Sequence, residues 1–437
     1  MPEFTYREIN QEIMQALSRP TRRYFLVLAC LALGLGAGLL TFLYQTLVGM
    51  GVTGLNVPVG WTPYITNFVF WIGIGHAGTL LSAILYLFRV EWRNAVYRAA
   101  ETMTVFAVAT AAMFPLIHLG RVWVFYWLLP YPNQRHLWPN FKSPLMWDVV
   151  AVTTYFVVSV LFLYMGLIPD LAALRDASTG WRKRLYARFA LGWDGNHHQW
   201  RHYLRAYMGL ACLATPLVIS VHSVVSWDFA MALLPGWHET IFAPYFVAGA
   251  IHSGLAMVIT LLIPLRKILR LERLIEVRHL AALAGLNILT ALIIGYAYAV
   301  EPFMAWYSGD AAERSYSAFR AFGPYAPYYW IMLVCNVALP LLYSFRRVRE
   351  SLPWLLGISL LINVGMWLER YVILVTPLAH GFLPSSRGLY TPQWVEIAIS
   401  LASGCLFLLG FLVAVRLFPI VAIAENKPLP APPPEVV

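Results

Sequence analysis

The sequence NFVFWIGIGHAGTLLSAILYLFR, residues 67–89, decides the fold of this chain. It is a long run of mostly apolar side chains, with one histidine near the middle and an arginine at the end. A helix of about 20 residues crosses the roughly 30 Å hydrocarbon layer of a bilayer, whereas a strand of a membrane barrel needs only about half as many residues. The stretch therefore predicts a transmembrane helix.

Similar apolar runs recur along the whole chain. Of its 437 residues 60% are hydrophobic and 12% are charged, whereas about 25% are charged in an average soluble domain. We predict an all-α polytopic membrane protein with ten transmembrane helices, here called spans 1 to 10. Their predicted ranges are 24–48, 65–88, 101–129, 143–168, 203–228, 241–265, 279–306, 324–345, 352–376 and 393–418. Span 1 is too long for the core of a signal peptide and lacks a small-residue cleavage site, so we expect it to remain in the membrane.

Most of the 31 basic residues fall on one side of this predicted topology, in alternate loops and at both ends. This is the positive-inside pattern, and it predicts that the N- and C-termini are both cytoplasmic. The net charge of +10 therefore reflects membrane orientation, and we expect lipid rather than nucleic acid to be the partner of these residues.

Spans 2 and 6 share a sequence pattern. Span 6 reads APYFVAGAIHSGLAMVITLLIPLRK, so His76-Ala-Gly78 matches His252-Ser-Gly254, and a basic residue closes each helix. We predict two four-helix bundles related by a parallel repeat, spans 2–5 and spans 6–9, with spans 1 and 10 at the flanks. The predicted segments are an amphipathic N-terminus (1–23), span 1 with its loop (24–64), the first bundle (65–228), the second bundle (229–376), the last span (377–418) and a proline-rich tail (419–437).

Four cysteines lie in predicted spans, and none forms a CxxC or CxxCH motif. They are Cys30, Cys212, Cys335 and Cys405. The spacing excludes a c-type haem attachment motif and a contiguous iron–sulfur ligand run. We therefore predict no haem or iron–sulfur cluster in this chain, and we interpret the cysteines as small buried apolar side chains.

Three histidines, His197, His198 and His202, stand among arginines in a predicted cytoplasmic loop. No matching set of cysteines or carboxylates accompanies them in the sequence. This pattern favours a solvated basic loop that contacts anionic lipid over a metal site.

Ionisable side chains inside a bilayer are costly, so each is a functional candidate unless it lies at a helix end. Span 3 runs outward and carries His118 and Arg121, three residues apart and so on one predicted helix face. Span 4 places Asp148 about one and a half turns below the outer surface, and span 5 ends at Asp228. We expect these groups to converge near the outer side, although His118 and Arg121 could instead only brace the helices against Asp148.

Such a cluster offers what oxidation of a quinol requires, namely two proton acceptors, an apolar and aromatic wall, and access from lipid. His118 is the candidate partner of one ring oxygen and a proton acceptor. Asp148 and Asp228 are candidates for the second partner and for the exit of protons. Arg121 and Trp147 are candidates for supporting the bound ring.

Further ionisable residues are candidates for a proton path, although structural roles compete for each. They are His76, Glu101, His252, Glu301, Glu369 and Arg370. The two histidines lie in mid-membrane, where packing is the simpler interpretation. The last two residues are expected to form a neighbouring ion pair, and Glu301 is expected at the outer interface, where its charge costs little.

Several stretches together resemble a known family. They are FVFWIGIGHAGT in span 2, FPLIHLGRVW in span 3, KSPLMWDVVAVTTYF in span 4, VHSVVSWDFA in span 5, EPFMAWYSG in span 7 and NVGMWLERYVI in span 9. The chain is similar to the NrfD/polysulfide-reductase membrane subunits, and more closely to the larger such subunit of bacterial alternative complex III. The resemblance extends over residues 6–418.

This resemblance implies a menaquinol-oxidising subunit of the bacterial inner membrane that holds no redox cofactor itself. It implies a quinol pocket formed by His118, Asp148 and Asp228. It also implies a periplasmic iron–sulfur subunit that takes the electrons, together with c-type haem subunits, a second NrfD-like membrane subunit and small membrane subunits. Proton translocation through the bundles is a further hypothesis for the family.

Three other functions compete with this interpretation. A di-haem cytochrome b would use histidines of the spans, among them His222, which otherwise has no assigned role. A transporter would use helices interrupted near Pro115 or Pro216. The chain could also be the membrane anchor of another NrfD-type oxidoreductase.

Overall fold

The computed structural model describes residues 12–14, 17, 20–129 and 143–425, apart from the side chain of Glu91. In this part of the chain ten helices are long and apolar enough to span a membrane, as predicted. They are Arg22–Val48, Pro63–Leu87, Tyr97–His118, Pro144–Ala177, His197–Ala230, Phe242–Ile268, Val277–Tyr307, Ala326–Ser344, Leu352–Ala379 and Trp394–Leu417. No strand occurs in the described residues, where extended pairing is limited to a bridge between His380 and Arg387. Most of the predicted amphipathic N-terminus and the proline-rich tail beyond Glu425 lie outside the described residues.

Span 3 ends earlier than predicted, at His118 instead of residue 129. Pro115 lies in its last turn, and Gly120 follows with a φ of +69°, a left-handed conformation that glycine adopts without strain. A separate 3₁₀ helix, Val122–Leu128, then continues in a new direction. The prediction that His118 and Arg121 share one helix face is therefore wrong.

Spans 4 and 5 are longer than predicted, with 34 residues each. At 1.5 Å per residue each is about 50 Å long, well beyond the roughly 30 Å of a hydrocarbon layer. Both helices therefore extend beyond the hydrocarbon layer at the end away from His118. The short helix Gly180–Phe189 joins them there. Charged residues such as Arg175 and Arg201 lie in the projecting parts, which is why hydropathy alone missed them.

Span 2 lies at the centre of the molecule and is buried along almost its whole length. It packs against spans 3, 5, 6 and 9. The two matching motifs meet where spans 2 and 6 cross, because a Cβ added to Gly254 would lie 1.9 Å from the Cβ of Ala77. Small side chains thus let the two backbones approach closely, as they do in many membrane helix pairs.

Span 1 packs mainly on span 10 and exposes most of its other surface. Cys30 of span 1 and Cys212 of span 5 lie on exposed helix surfaces, so the prediction that all four cysteines are buried is wrong for these two. Cys335 is buried and Cys405 is half-buried. Apolar exposure of this kind is expected of helices whose outer face meets lipid.

Candidate functional site

A cavity of about 520 Å³ lies beside the end of span 3 and the start of span 4. Among the described residues its polar lining comprises the three predicted residues and Thr153, and the remainder is apolar or aromatic. The lining residues are Trp61, Ile65, Phe68, Val69, Ala112, Pro115, Leu116, His118, Leu119, Phe125, Leu128, Leu129, Leu145, Asp148, Val149, Val152, Thr153, Asp228 and Phe229. The structure thus brings together three side chains from three different spans.

Helix termini position these side chains. His118 is the last residue of span 3, Asp148 lies one turn into span 4, and Asp228 lies in the last turn of span 5. Pro144 starts span 4, where its missing N–H leaves no hydrogen bond unmade. The turn at Gly120 directs the following 3₁₀ helix over the cavity, which Phe125 and Leu128 help to line.

The carboxyl groups of Asp148 and Asp228 are close enough for a side-chain hydrogen bond. Asp148 is buried, and within the described residues the Oδ1 atom of each carboxyl group has no hydrogen-bond partner. The Nδ1 atom of His118 also lacks one in this part of the chain. Buried polar atoms normally find partners, so three such atoms around one cavity indicate a place where a ligand or water binds.

The two predicted supporting residues lie outside this lining. Arg121 is exposed beyond the end of span 3, and within the described residues it forms no ion pair. The ring of Trp147 packs edge-on against that of Trp227, with 6.0 Å between ring centroids. A supporting role for either residue stays a prediction.

His222, to which the sequence analysis gives no role, lies beside His76 in the interior. The ring centroids of the two histidines are 4.6 Å apart. The ring of Tyr155 stacks on the ring of His76, with 4.5 Å between centroids. His76 Nδ1 contacts the carbonyl oxygen of Ile72 at 2.6 Å, whereas neither ring nitrogen of His222 has a hydrogen-bond partner in the part of the chain that the structure describes. No spacing in the sequence links spans 2 and 5, so only the tertiary structure reveals this pair.

The predicted ion pair of span 9 is confirmed and is fully buried. Arg370 Nη1 lies 2.8 Å from Glu369 Oε1, and the hydroxyl of Tyr298 donates a hydrogen bond to the same carboxylate group. Glu301, near the end of span 7, is buried within the protein, where Arg320 forms an ion pair with it at 2.6 Å. Burial among protein side chains does not give its depth in a bilayer, so a position near the outer interface stays a prediction.

The other two proton-path candidates are also buried. His252 Nδ1 contacts Thr290 Oγ1 of span 7 at 2.8 Å. Glu101 accepts hydrogen bonds from Ser82 at 2.6 Å and from Tyr207 at 3.0 Å. The structure does not connect the six candidates into one continuous hydrogen-bonded chain within the described residues.

Glu239, in the loop after span 5, is a titratable residue that the sequence analysis did not single out. Burial, with a smaller contribution from the negative charge of Glu301, raises the pKa of Glu239 to about 9. Arg320 opposes this effect without cancelling it. The raised pKa favours the protonated form of this carboxyl group.

Within the described residues no group of three or more His, Cys, Asp or Glu side chains could hold a metal ion. His198 and His202 are exposed, and their Nε2 atoms lie 3.1 Å apart at the start of span 5. Exposed side chains at this end of the helix agree with the predicted solvated, basic segment.

Comparison with known proteins assigns the family. The sequence pattern described as "Polysulphide reductase, NrfD" matches residues 51–380. The chain belongs to the NrfD family. That match contains eight of the ten spans, from span 2 to span 9, and every residue of the cavity lining.

Three curated proteins are similar to this NrfD chain. A putative membrane subunit of dimethyl sulfoxide reductase from Halobacterium salinarum is 28% identical over 53% of the chain and 49% of its own length. A selenate reductase subunit from Mesobacillus selenatarsenatis is 23% identical over 54% of the chain and 55% of its own length. The chain thus spans about half the length of these two relatives. The Hdr-like menaquinol oxidoreductase integral membrane subunit of Archaeoglobus fulgidus is 19% identical over 75% of the chain and 73% of its own length.

The names of all three relatives describe subunits of oxidoreductases, and two of these names specify a membrane subunit. This NrfD chain, with ten helices of membrane-spanning length and composition in its described residues, is accordingly a multi-pass membrane protein.

Proposed function

We propose that this NrfD chain binds menaquinol in the cavity between spans 3, 4 and 5 and oxidises it as part of an electron-transfer complex. One observation carries the proposal: His118, Asp148 and Asp228 line a single cavity whose other walls are almost entirely apolar. A volume of about 520 Å³ is within the range of about 300–1,000 Å³ that small-molecule sites occupy. The name of the Archaeoglobus relative includes menaquinol, which supports the choice of substrate.

Oxidation of a quinol releases two protons and two electrons. In the proposed pocket, His118 accepts a hydrogen bond from one ring hydroxyl, and the pair Asp148 and Asp228 receives the other. Two carboxyl groups in contact cannot both be charged at low cost in an apolar site, so the pair is suited to take up and pass on one proton at a time. The electrons leave to a partner protein of the complex.

The surroundings of the chain follow from the same proposal. We infer a bacterial inner-membrane complex of the alternative complex III type, with c-type haem subunits, a periplasmic iron–sulfur subunit, a second NrfD-like subunit and small membrane subunits. The distribution of basic residues supports cytoplasmic termini and an outer position for the cavity. The contact between the two matching histidine motifs supports the parallel repeat of two bundles.

Filling the cavity tests the proposal without removing a polar group. Val149 lines the cavity, whereas its neighbour Val150 is 57% exposed on the outer face of span 4. We expect Val149→Trp to abolish quinol-dependent reduction of the acceptor and binding of a quinol analogue in the purified complex. Val150→Trp adds the same side chain on the other face and should leave both measurements close to wild type.

Two results would reject the proposal. If Val149→Trp leaves analogue binding and turnover intact in an assembled complex, the quinol binds elsewhere. If both tryptophan variants lose activity equally, the effect comes from span 4 as a whole and not from the cavity. A control measures electron transfer from an artificial donor through the partner subunits to the acceptor. An unchanged rate in both variants shows that the partner subunits remain assembled.

A further inference from the structure

The chain folds back after span 10, and residues 419–425, here called the closing segment, pack against the end of spans 3 to 5 that lies opposite the cavity. Within it Ile420, Val421, Ala422 and Ile423 are at most 5% exposed. The segment therefore has the burial of a core element, although it is neither a helix nor a strand.

Asp170 of span 4 anchors the middle of the closing segment. Its Oδ1 atom accepts hydrogen bonds from the backbone N–H groups of Ile423 and Ala424, at 3.0 and 2.9 Å. Its Oδ2 atom is held by Arg98 of span 3 at 3.2 Å. The buried carboxylate thus joins the segment to the interior of the protein.

Glu425 anchors the end of the segment. Its Oε2 atom forms an ion pair with Arg93 at 2.6 Å, and its Oε1 atom accepts a hydrogen bond from Tyr203 at 3.0 Å. The amide of Asn94 donates to the backbone oxygen of Glu425 at 3.0 Å. These contacts cover the guanidinium group of Arg93, which is 4% exposed.

Below this contact a buried polar network leads to Glu101. Arg93 Nη2 donates to the hydroxyl of Tyr207 at 2.6 Å, and that hydroxyl donates to Glu101 Oε1 at 3.0 Å. Arg98 and Ser82 complete the surroundings of the carboxylate. The closing segment contacts the outer end of this network, through Glu425 and Arg93, while Glu101 at its inner end is 1% exposed.

We propose that the closing segment is a releasable plug, and that water reaches the network around Glu101 when residues 419–425 leave the ends of spans 3 to 5. The proposal does not depend on quinol binding, because the network and the cavity lie at opposite ends of spans 3 and 4.

Release leaves partners for the charged groups that the segment covers. When the segment leaves, Asp170 keeps its ion pair with Arg98. Arg93 loses its ion pair with Glu425, but it keeps the hydroxyl of Tyr207 and its position 3.8 Å above the ring of Tyr97, and the water that enters hydrates its charge. Breaking a buried pair is expensive mainly when the remaining charge stays buried and unpaired. The apolar side chains of the segment then provide most of the force that keeps it in place.

Cysteine accessibility tests the plug in the full-length complex. In a background without the four native cysteines, Ala83→Cys reports on the network, since Ala83 follows Ser82 in span 2 and belongs to the same buried cluster as Tyr203 and Tyr207. Ala291→Cys in span 7 is the matched control, because both alanines are 0% exposed. The segment is released by Ala424→Pro, which removes one N–H that Asp170 binds, or by ending the chain at Phe418.

We expect either release variant to speed the reaction of Ala83→Cys with a water-soluble maleimide about tenfold or more, as local opening does, while Ala291→Cys stays protected. Two results would overturn the proposal. Protection of Ala83→Cys in the chain that ends at Phe418 would mean that the segment does not close the network. An equal rise at both cysteines would mean that the segment stabilises the whole fold and is not a plug. If the shortened chain does not fold, Ala424→Pro decides between these outcomes.

Discussion

Asp148 and Asp228 meet side chain to side chain at the cavity, one from the start of span 4 and the other from the end of span 5. Eighty residues of chain separate them, and the two spans run in opposite directions. The contact therefore exists because the start of one helix and the end of the next reach the same level of the membrane.

Replacing either aspartate by asparagine should lower the turnover of quinol much more than the binding of a quinol analogue. Asparagine keeps the shape of aspartate, but one acceptor oxygen becomes an NH₂ donor and the side chain cannot take up a proton. We expect Asp148→Asn and Asp228→Asn each to lower quinol turnover about 100-fold or more, the typical share of a general base. Binding of a quinol analogue should weaken by no more than about fivefold, the equivalent of one hydrogen bond. Unchanged turnover in both variants would contradict the assignment.

His118 should contribute to binding as well as to proton acceptance, since it lines the cavity and its Nδ1 atom has no hydrogen-bond partner among the described residues. We expect His118→Ala to raise the dissociation constant of a quinol analogue about fivefold to tenfold, the effect of losing one hydrogen bond. Isothermal titration of the purified complex measures it. His238→Ala is a suitable control, because His238 is exposed in the loop after span 5. Equal effects of the two substitutions would argue against a role for His118.

Where spans 2 and 6 cross, the space between Ala77 and Gly254 should hold one methyl group but not two. We expect Gly254→Ala to destabilise the protein by about 1–3 kcal/mol, because the new Cβ would overlap that of Ala77. Ala77→Gly combined with Gly254→Ala should restore most of the loss. Thermal unfolding in detergent measures both. Gly285→Ala, where a Cβ meets no atom within 4 Å, is the control and should have little effect.

Glu239 should make stability depend on pH in a predictable direction. Its pKa rises from 4.5 to about 9 in the folded protein, so the folded state holds a proton that the unfolded state releases. The contribution of Glu239 to stability is complete below its pKa in the unfolded state. It is lost as the pH rises towards its pKa in the folded state. We expect the melting temperature to fall more steeply between pH 5 and 9 for the wild type than for Glu239→Gln. Parallel curves would show that Glu239 is not the group responsible.

A pyridine haemochrome spectrum should distinguish the di-haem alternative. Two imidazoles on opposite sides of an iron keep their ring centres roughly 6 Å apart, because each metal–nitrogen bond is about 2 Å long. His76 and His222 have ring centroids only 4.6 Å apart, tilted by 58°. We therefore expect no stoichiometric haem b band from the isolated protein. Such a band would require these helices to move apart and would favour a cytochrome b.

The sequence alone determined the class of fold, because ten apolar runs of membrane length need no tertiary contact to be recognised. It also predicted His118, Asp148 and Asp228 as one site, since the alternating direction of the spans fixes which helix ends lie at the same depth. The end of span 3 was predicted less well. Apolar residues continue to Leu129, whereas the helix stops because of Pro115 and Gly120.

The tertiary structure decided which buried polar groups meet. The contact of His222 with His76, the ion pair of Glu301 with Arg320 and the docking of Glu425 on Arg93 each join residues from separate elements. Hydropathy gives the depth of a residue in the membrane, but it does not say which side of a helix faces which neighbour. That choice depends on side-chain packing between helices, which is set only when all of them are assembled.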